Sequence, residues 1–160
     1  MGSSAFISIR LVVVLGTALV AHCAYADFSG KVVRVADGDT ITILREHEQV
    51  KVRLVEIDAP ERRQAFGNRS RQALARMVQG KQVEVREQGT DRYGRTLGRV
   101  YQAGLDVNAE MVRIGLAWVY VRYAKDQSLY QVEAEARAQR RGLWADKEPV
   151  PPWEWRQKAK

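Results

Sequence analysis

The stretch Ala36–Leu44, ADGDTITIL, lies between two runs of β-forming residues and decides how the chain is read. Asp37-Gly38 is a favourable hairpin turn, and Thr40-Ile41-Thr42-Ile43-Leu44 alternates polar and apolar side chains as a half-buried strand does. The turn needs one aspartate, so Asp39 is left over and asks for a different explanation.

Working outward, strands are expected at Phe28–Ala36, Thr40–Leu44 and Val50–Val55, joined by Asp37-Gly38 and the polar segment Arg45–Gln49 into a meander. A helix is expected at roughly Asn68–Gln79, where Leu74, Met77 and Val78 share a face and Gly80 provides the stop. Strands follow at Gln82–Glu87 and Arg95–Tyr101, separated by the polar loop GTDRYGR. Val107–Ile114 reads as a short helix stopped by Gly115, and Ala117–Val121 as extended chain. Ser128-Leu129-Tyr130-Gln131 has the form of a capping box opening a third helix, with Leu129, Val132 and Ala136 inward and Gly142 at its end. Pro149–Trp155, PVPPWEW, is expected to be irregular and to dock on the surface through its tryptophans. Five strands with a helix between the third and fourth give an α+β fold, a five-stranded oligonucleotide-binding (OB) β-barrel with three helices.

Residues 1–26 read as a cleaved secretory signal: Arg10, an apolar run Leu11–Ala21, then Ala24-Tyr25-Ala26 in the A-x-A form. The run falls short of the ~20 apolar residues that span a bilayer. The expected organisation is therefore a leader at 1–26, a folded domain at 27–148 and a Pro/Trp tail at 149–160. A secreted or periplasmic monomer follows, without stable membrane association once the leader is removed.

Cys23, the single cysteine, and one of the two histidines, His22, leave with the leader. Cysteine nucleophiles, histidine-rich zinc sites and Ser-His-Asp triads then lack their parts, so chemistry has to run on carboxylates, arginines, tyrosines and a hard metal ion. The net charge of +7, one unit of it Arg10, suits a polyanionic partner.

Three polar groups carry candidate chemistry: Asp37–Thr40, Arg53–Glu61 and Asp91–Arg95. Singly, each has a plain structural reading as a turn, a strand end or a solvated charge. Together they suit phosphodiester hydrolysis, which needs neutralised phosphoryl oxygens, a polarising metal and a group that positions water. Carboxylates with a main-chain carbonyl make a hard-oxygen site suited to Ca²⁺ or Mg²⁺, and arginine grips phosphate in a forked geometry.

DGDT, then R-x-x-x-x-D-x-P-E, then D-[KR]-Y-G-R, followed by VNAEMVRIGLAWVY and RGLW, resembles the staphylococcal-nuclease-type thermonucleases over roughly Phe28–Trp144. The resemblance implies an exported Ca²⁺-dependent endonuclease acting on DNA and RNA, preferably single-stranded, that cleaves the 5′ P–O bond and leaves 3′-phosphates. By position it implies that Asp39 and Asp58 ligate calcium through carboxylates and Ala59 through its carbonyl. Glu61 is implied as general base, Arg53 and Arg95 as phosphate clamps, and Arg92, Tyr93 and Tyr123 as substrate contacts. Val121 stands where the best-known member has a substrate tyrosine. The alternative is a non-catalytic OB-fold module that binds nucleic acid without cleaving it; retention of Asp39, Arg53, Asp58, Glu61 and Arg95 favours catalysis.

Overall fold

The computed structural model describes residues 27–158, so the leader expected at 1–26 lies outside the described residues. Its elements are β1 (Phe28–Val35), β2 (Thr40–Arg45), β3 (Glu48–Leu54), β4 (Ile57–Asp58), α1 (Gly67–Val78), β5 (Gln82–Thr90), β6 (Thr96–Gln102), β7 (Leu105–Asp106), α2 (Val107–Arg113), β8 (Trp118–Val119), α3 (Ser128–Ala138), a 3₁₀ turn (Gly142–Ala145) and α4 (Pro152–Lys158). Among the described residues no helix is long and apolar enough to cross a membrane.

The expected meander is present: β1, β2 and β3 pair antiparallel in sequence order. β1 also pairs antiparallel with β5, β5 with β6, and β6 runs parallel to β3, which closes five strands into a barrel. Closure removes the free edges of the main sheet. Alternating residues Val32, Ile41, Ile43, Val52, Leu54, Val83, Val85 and Val100 fill the interior, and α1, α2 and α3 add Leu74, Val78, Met111 and Leu129 to the same core. Trp118, Ala136, Leu143 and Trp144 form a second cluster, with Phe66 and Trp153 packed against it.

Several expectations need correcting. Three helices were expected and four α-helices form among the described residues. The fourth covers Pro152–Lys158 and so overlaps the segment Pro149–Trp155 read as irregular. Proline is disruptive inside a helix but suited to its first position, where no amide partner is lost. The capping box at Ser128 does not form: Gln127 caps α3 without a side-chain bond, and the Ser128 hydroxyl donates to Asp126 Oδ1 at 2.6 Å. Extended chain at Ala117–Val121 shrinks to the two residues of β8, paired with β4.

The Asp37-Gly38 turn is also built differently. Gly38 is absent from the left-handed region, and the reversal is closed by Ala36 N donating to Thr40 O at 2.9 Å. What demands glycine is proximity: a Cβ at position 38 would lie 1.9 Å from Ser70 Oγ and 2.7 Å from Ala59 Cβ. The DGDT loop is thus pressed onto α1 and onto the chain after β4, the two segments that frame the candidate site.

Candidate active site

Asp39 ends the β1–β2 connection, and the next residue, Thr40, is the register partner of Arg53 on β3. Arg53 leans from that position towards β4. Its Nη1 donates to the carbonyls of Leu54 (2.5 Å) and Ile57 (2.9 Å), and its Nη2 lies 2.9 Å from Asp58 Oδ1 and 3.1 Å from Asp39 Oδ2. One guanidinium nitrogen therefore gathers both carboxylates that the sequence singles out. Asp39 Oδ2 also accepts from the amide of Ala59 at 2.7 Å, and its Oδ1 from the Thr40 hydroxyl at 3.0 Å. Both acids are buried.

Glu61 follows three residues after Asp58, beyond Pro60. Its amide donates to Gln64 Oε1 at 3.1 Å, while Gln64 N donates to the Glu61 carbonyl at 2.8 Å. This tight turn leads into α1 through Phe66, which adopts the left-handed conformation, and Gly67. A Cβ on Gly67 would sit 1.9 Å from the Glu61 carbonyl oxygen, so position 67 admits no side chain without moving Glu61.

Glu56 and Arg99 brace this arrangement, although neither has a sequence signature. Glu56 is buried at φ 64° and accepts from the amides of Lys125 (2.6 Å) and Asp126 (2.8 Å). Arg99 binds Glu56, Asp106 and Asp126 at 3.2, 2.6 and 2.7 Å. Asn108, fully buried, bridges Val100 N and Val55 O. The chain from Val55 to Asp58 is thereby fixed to β6, α2 and the approach to α3.

Arg95 lies apart from the carboxylates in the β5–β6 turn. Asp91 organises that turn by accepting from the amides of Tyr93 (2.8 Å) and Arg95 (3.0 Å), and Arg95 Nε donates to Asp91 Oδ2 at 2.7 Å. Arg53 is paired with Leu97 across the parallel β3–β6 ladder, and Arg95 precedes Leu97 by two residues. Tyr93 is 69% exposed, with the Arg92 guanidinium 4.8 Å from its ring centroid. Tyr123 is 55% exposed and meets Tyr120 edge to face at 4.9 Å. Val121 is exposed beside it.

The tail supplies a group that sequence reasoning missed. Arg156 on α4 reaches Asp58 with Nη2 at 2.8 Å from Oδ2, and its Nη1 lies 3.3 Å from Asp58 Oδ1 and 2.8 Å from Glu61 Oε1. Its neighbours explain the docking. Trp153 stacks on Tyr120 at 5.4 Å with the rings 4° from parallel, and meets Trp118 edge to face at 5.8 Å. Gln64 Nε2 donates to the Val150 carbonyl at 2.6 Å.

The electrostatics are crowded with acid. Burial, then the Asp39 charge, pushes Asp37 up to about 7. Burial also raises Asp58, against the opposing pull of Arg156 and Arg53. Burial disfavours the charged Arg156 guanidinium, but hydrogen bonds to Asp58 and Glu61 outweigh it and hold Arg156 above the ordinary arginine value. Arg53 meets Asp39 and Asp58, and Arg156 meets Asp58 and Glu61, so three carboxylates share two guanidinium groups, and a hard divalent cation would relieve the remaining negative charge. Among the described residues no three His, Cys, Asp or Glu side chains are gathered to hold an ion alone. A cation here would draw on Asp39 and Asp58 together with a main-chain carbonyl and water.

Residues 51–146 match the family model described as staphylococcal nuclease homologue. The chain is 46% identical over 168 residues to a protein of Shigella flexneri named micrococcal nuclease, covering 98% of this chain and 97% of that one. It is 48% identical over 162 residues to protein ParB of Escherichia coli, covering 94% and 92%. It is 52% identical over 132 residues to a protein of Escherichia coli O157:H7 named uncharacterized endonuclease, covering 82% and 86%.

Proposed function

The chain belongs to the staphylococcal nuclease homologue family and is a nuclease, and we propose that it is an exported, Ca²⁺-dependent endonuclease of DNA and RNA. The reading extends to preference for single strands, cleavage of the 5′ P–O bond with 3′-phosphate products, and action as a monomer. The observation that carries it is the convergence of Asp39 and Asp58 on Arg53 Nη2, with Glu61 at the edge of the same cluster. The relatives named as nucleases speak for cleavage over binding alone.

Asp39 and Asp58 are the residues that would hold calcium, with the Ala59 carbonyl completing the protein donors. Bound there, calcium would supply positive charge to the phosphoryl oxygens and favour attack on phosphorus. Glu61 accepts the proton of the water whose oxygen forms the new bond to phosphorus, and its partial exposure leaves room for that water. The P–O5′ bond breaks, and the departing 5′ oxygen takes a proton from solvent. Arg53 and Arg95 bear on the phosphoryl oxygens as negative charge builds there. Arg95 spends its Nε on Asp91, leaving its terminal nitrogens for phosphate.

Tyr93 and Tyr123, each exposed with an arginine over its face, offer flat rings on which unpaired bases stack without sequence preference. Arg92 adds charge beside Tyr93. Such platforms reach bases only where these are unstacked, which motivates the single-strand preference.

End-group analysis tests this reading. Denatured and duplex DNA are digested with Ca²⁺ and with chelator, and the termini are identified by phosphatase and kinase labelling. Calcium-dependent 3′-phosphates, formed faster on denatured DNA, are expected; 5′-phosphate ends or equal rates in chelator would overturn it. Export is tested separately by sequencing the N-terminus of the protein recovered outside the cytoplasm, which is expected to begin at Asp27.

A further inference from the structure

We propose that Arg156 is a residue of the cation site, delivered by the tail, and that its guanidinium competes with the divalent cation for Asp58. The inference rests on the cation reading above.

Three observations converge. The first is placement. Trp153 and Arg156 stand three apart on α4 and so share a face. Trp118 and Asp58 are register partners in the β4–β8 ribbon. Trp153 packs against Trp118, and Arg156 binds Asp58. One helix face thus meets two facing positions of one ribbon, which sets the guanidinium on the acid rather than leaving it to an unrestrained side chain.

The second is the capacity of the acceptor. Asp58 Oδ1 already has Arg53 Nη2 at 2.9 Å and Arg156 Nη1 at 3.3 Å, and Oδ2 has Arg156 Nη2 at 2.8 Å. A carboxylate oxygen has about two lone-pair directions. Oδ1, which faces the shared Arg53 nitrogen and hence Asp39, has both engaged. For Asp58 to join Asp39 around a cation through Oδ1, one guanidinium has to yield.

The third is which one yields. Arg53 is 12% exposed at its side chain and also held by the carbonyls of Leu54 and Ile57. Arg156 is 41% exposed, and its hydrogen bonds among the described residues go to Asp58 and Glu61 alone. Repulsion from a dication beside Asp58 falls on the arginine with fewer other ties.

Tethering makes the competitor persistent. A guanidinium anchored through Trp153 competes at a high effective concentration, unlike free counter-ions. Its departure does two things together: it opens Asp58 and releases Glu61 Oε1, an oxygen of the carboxylate proposed to receive the proton from water. Cation entry and release of the base become one event.

The test is calorimetric titration of Ca²⁺ into the purified protein and into Arg156→Gln and Arg156→Lys, each checked for folding by its thermal transition. Arg156→Gln is expected to bind Ca²⁺ about three- to tenfold more tightly, as loss of a partly exposed ion pair implies. Arg156→Lys, which keeps the charge without the fork, is expected in between. Damage to the site would weaken binding, so a gain in affinity is not mimicked by a structural defect. Unchanged or weaker binding in Arg156→Gln, with normal binding by the parent, overturns the competition and leaves the cation site standing. Absence of Ca²⁺ binding in all three proteins overturns the cation site and the competition together.

Discussion

Arg53 Nη2 lies 2.9 Å from Asp58 Oδ1, and the pair is almost wholly removed from solvent. The same nitrogen is 3.1 Å from Asp39 Oδ2, so Arg53 holds the two acids together, in addition to the phosphate contact proposed for it. Both duties fall on one side chain. Arg53→Gln is expected to lower the cleavage rate by at least about a hundredfold and to cost about 3 kcal/mol of stability, because buried acids lose their partner. Initial rates and urea denaturation measure the two effects separately.

Glu61 separates from Arg53 in this respect, since its side chain is 39% exposed. Glu61→Gln is expected to reduce kcat by about 10²- to 10⁴-fold while the thermal transition stays close to that of the parent. A large loss of stability with kcat preserved would contradict its assignment as base.

Gly38→Ala tests the packing explanation of DGDT. With the added carbon 1.9 Å from Ser70 Oγ and 2.7 Å from Ala59 Cβ, the loop has to shift away from α1. A loss of about 1–3 kcal/mol is expected, as for overpacked sites generally, together with reduced cleavage because Asp39 moves with the loop. A stability equal to the parent in urea titration would show that the contact is relieved at no cost.

Much of the site was legible because its parts are local. Arg53, Asp58 and Glu61 fall within one nine-residue stretch, and Asp39 adjoins a recognisable turn, so chemistry and spacing could be read together. The barrel was legible for a related reason: Ile41, Ile43, Val52, Val83 and Val85 alternate with polar residues, and alternation reports which face is buried. Arg156 carried no such signal. It stands 98 residues from Asp58, in a tail whose prolines argue against helix until Pro152 is placed at the first helical position. Glu56 and Arg99, 43 residues apart, were hidden in the same way, since an ion pair between a turn residue and a strand residue leaves no periodic trace in the sequence.

That hidden network gives a further expectation. Arg99 is 16% exposed and is the shared ion-pair partner of Glu56, Asp106 and Asp126. Arg99→Met is expected to cost about 3–5 kcal/mol, because three acids are left facing one another. Chemical denaturation measures it; a loss below 1 kcal/mol would mean that the network is relieved by water.

The pH dependence follows from Asp126. The Ser128 hydroxyl, then Arg99, holds its carboxyl below the ordinary value of 3.8. A lowered folded-state value means that the unfolded chain binds the proton more readily, so the contribution is present above about pH 4 and fades as pH falls through the lower folded value. Asp126→Asn is expected to be less stable than the parent at pH 7, with the difference narrowing below pH 4. Thermal transitions recorded from pH 7 to pH 3 check the sign; a gap that widens on acidification would contradict it.

The most direct measurement is the initial rate of hydrolysis of denatured DNA, with Ca²⁺ and after chelation, by the parent protein and by Asp39→Ala. If Asp39 and Asp58 hold the cation beside Glu61, the parent cleaves only with Ca²⁺ and Asp39→Ala has lost that calcium-dependent rate while remaining folded. Cleavage by the parent that survives chelation, or an Asp39→Ala rate equal to the parent's, would contradict it.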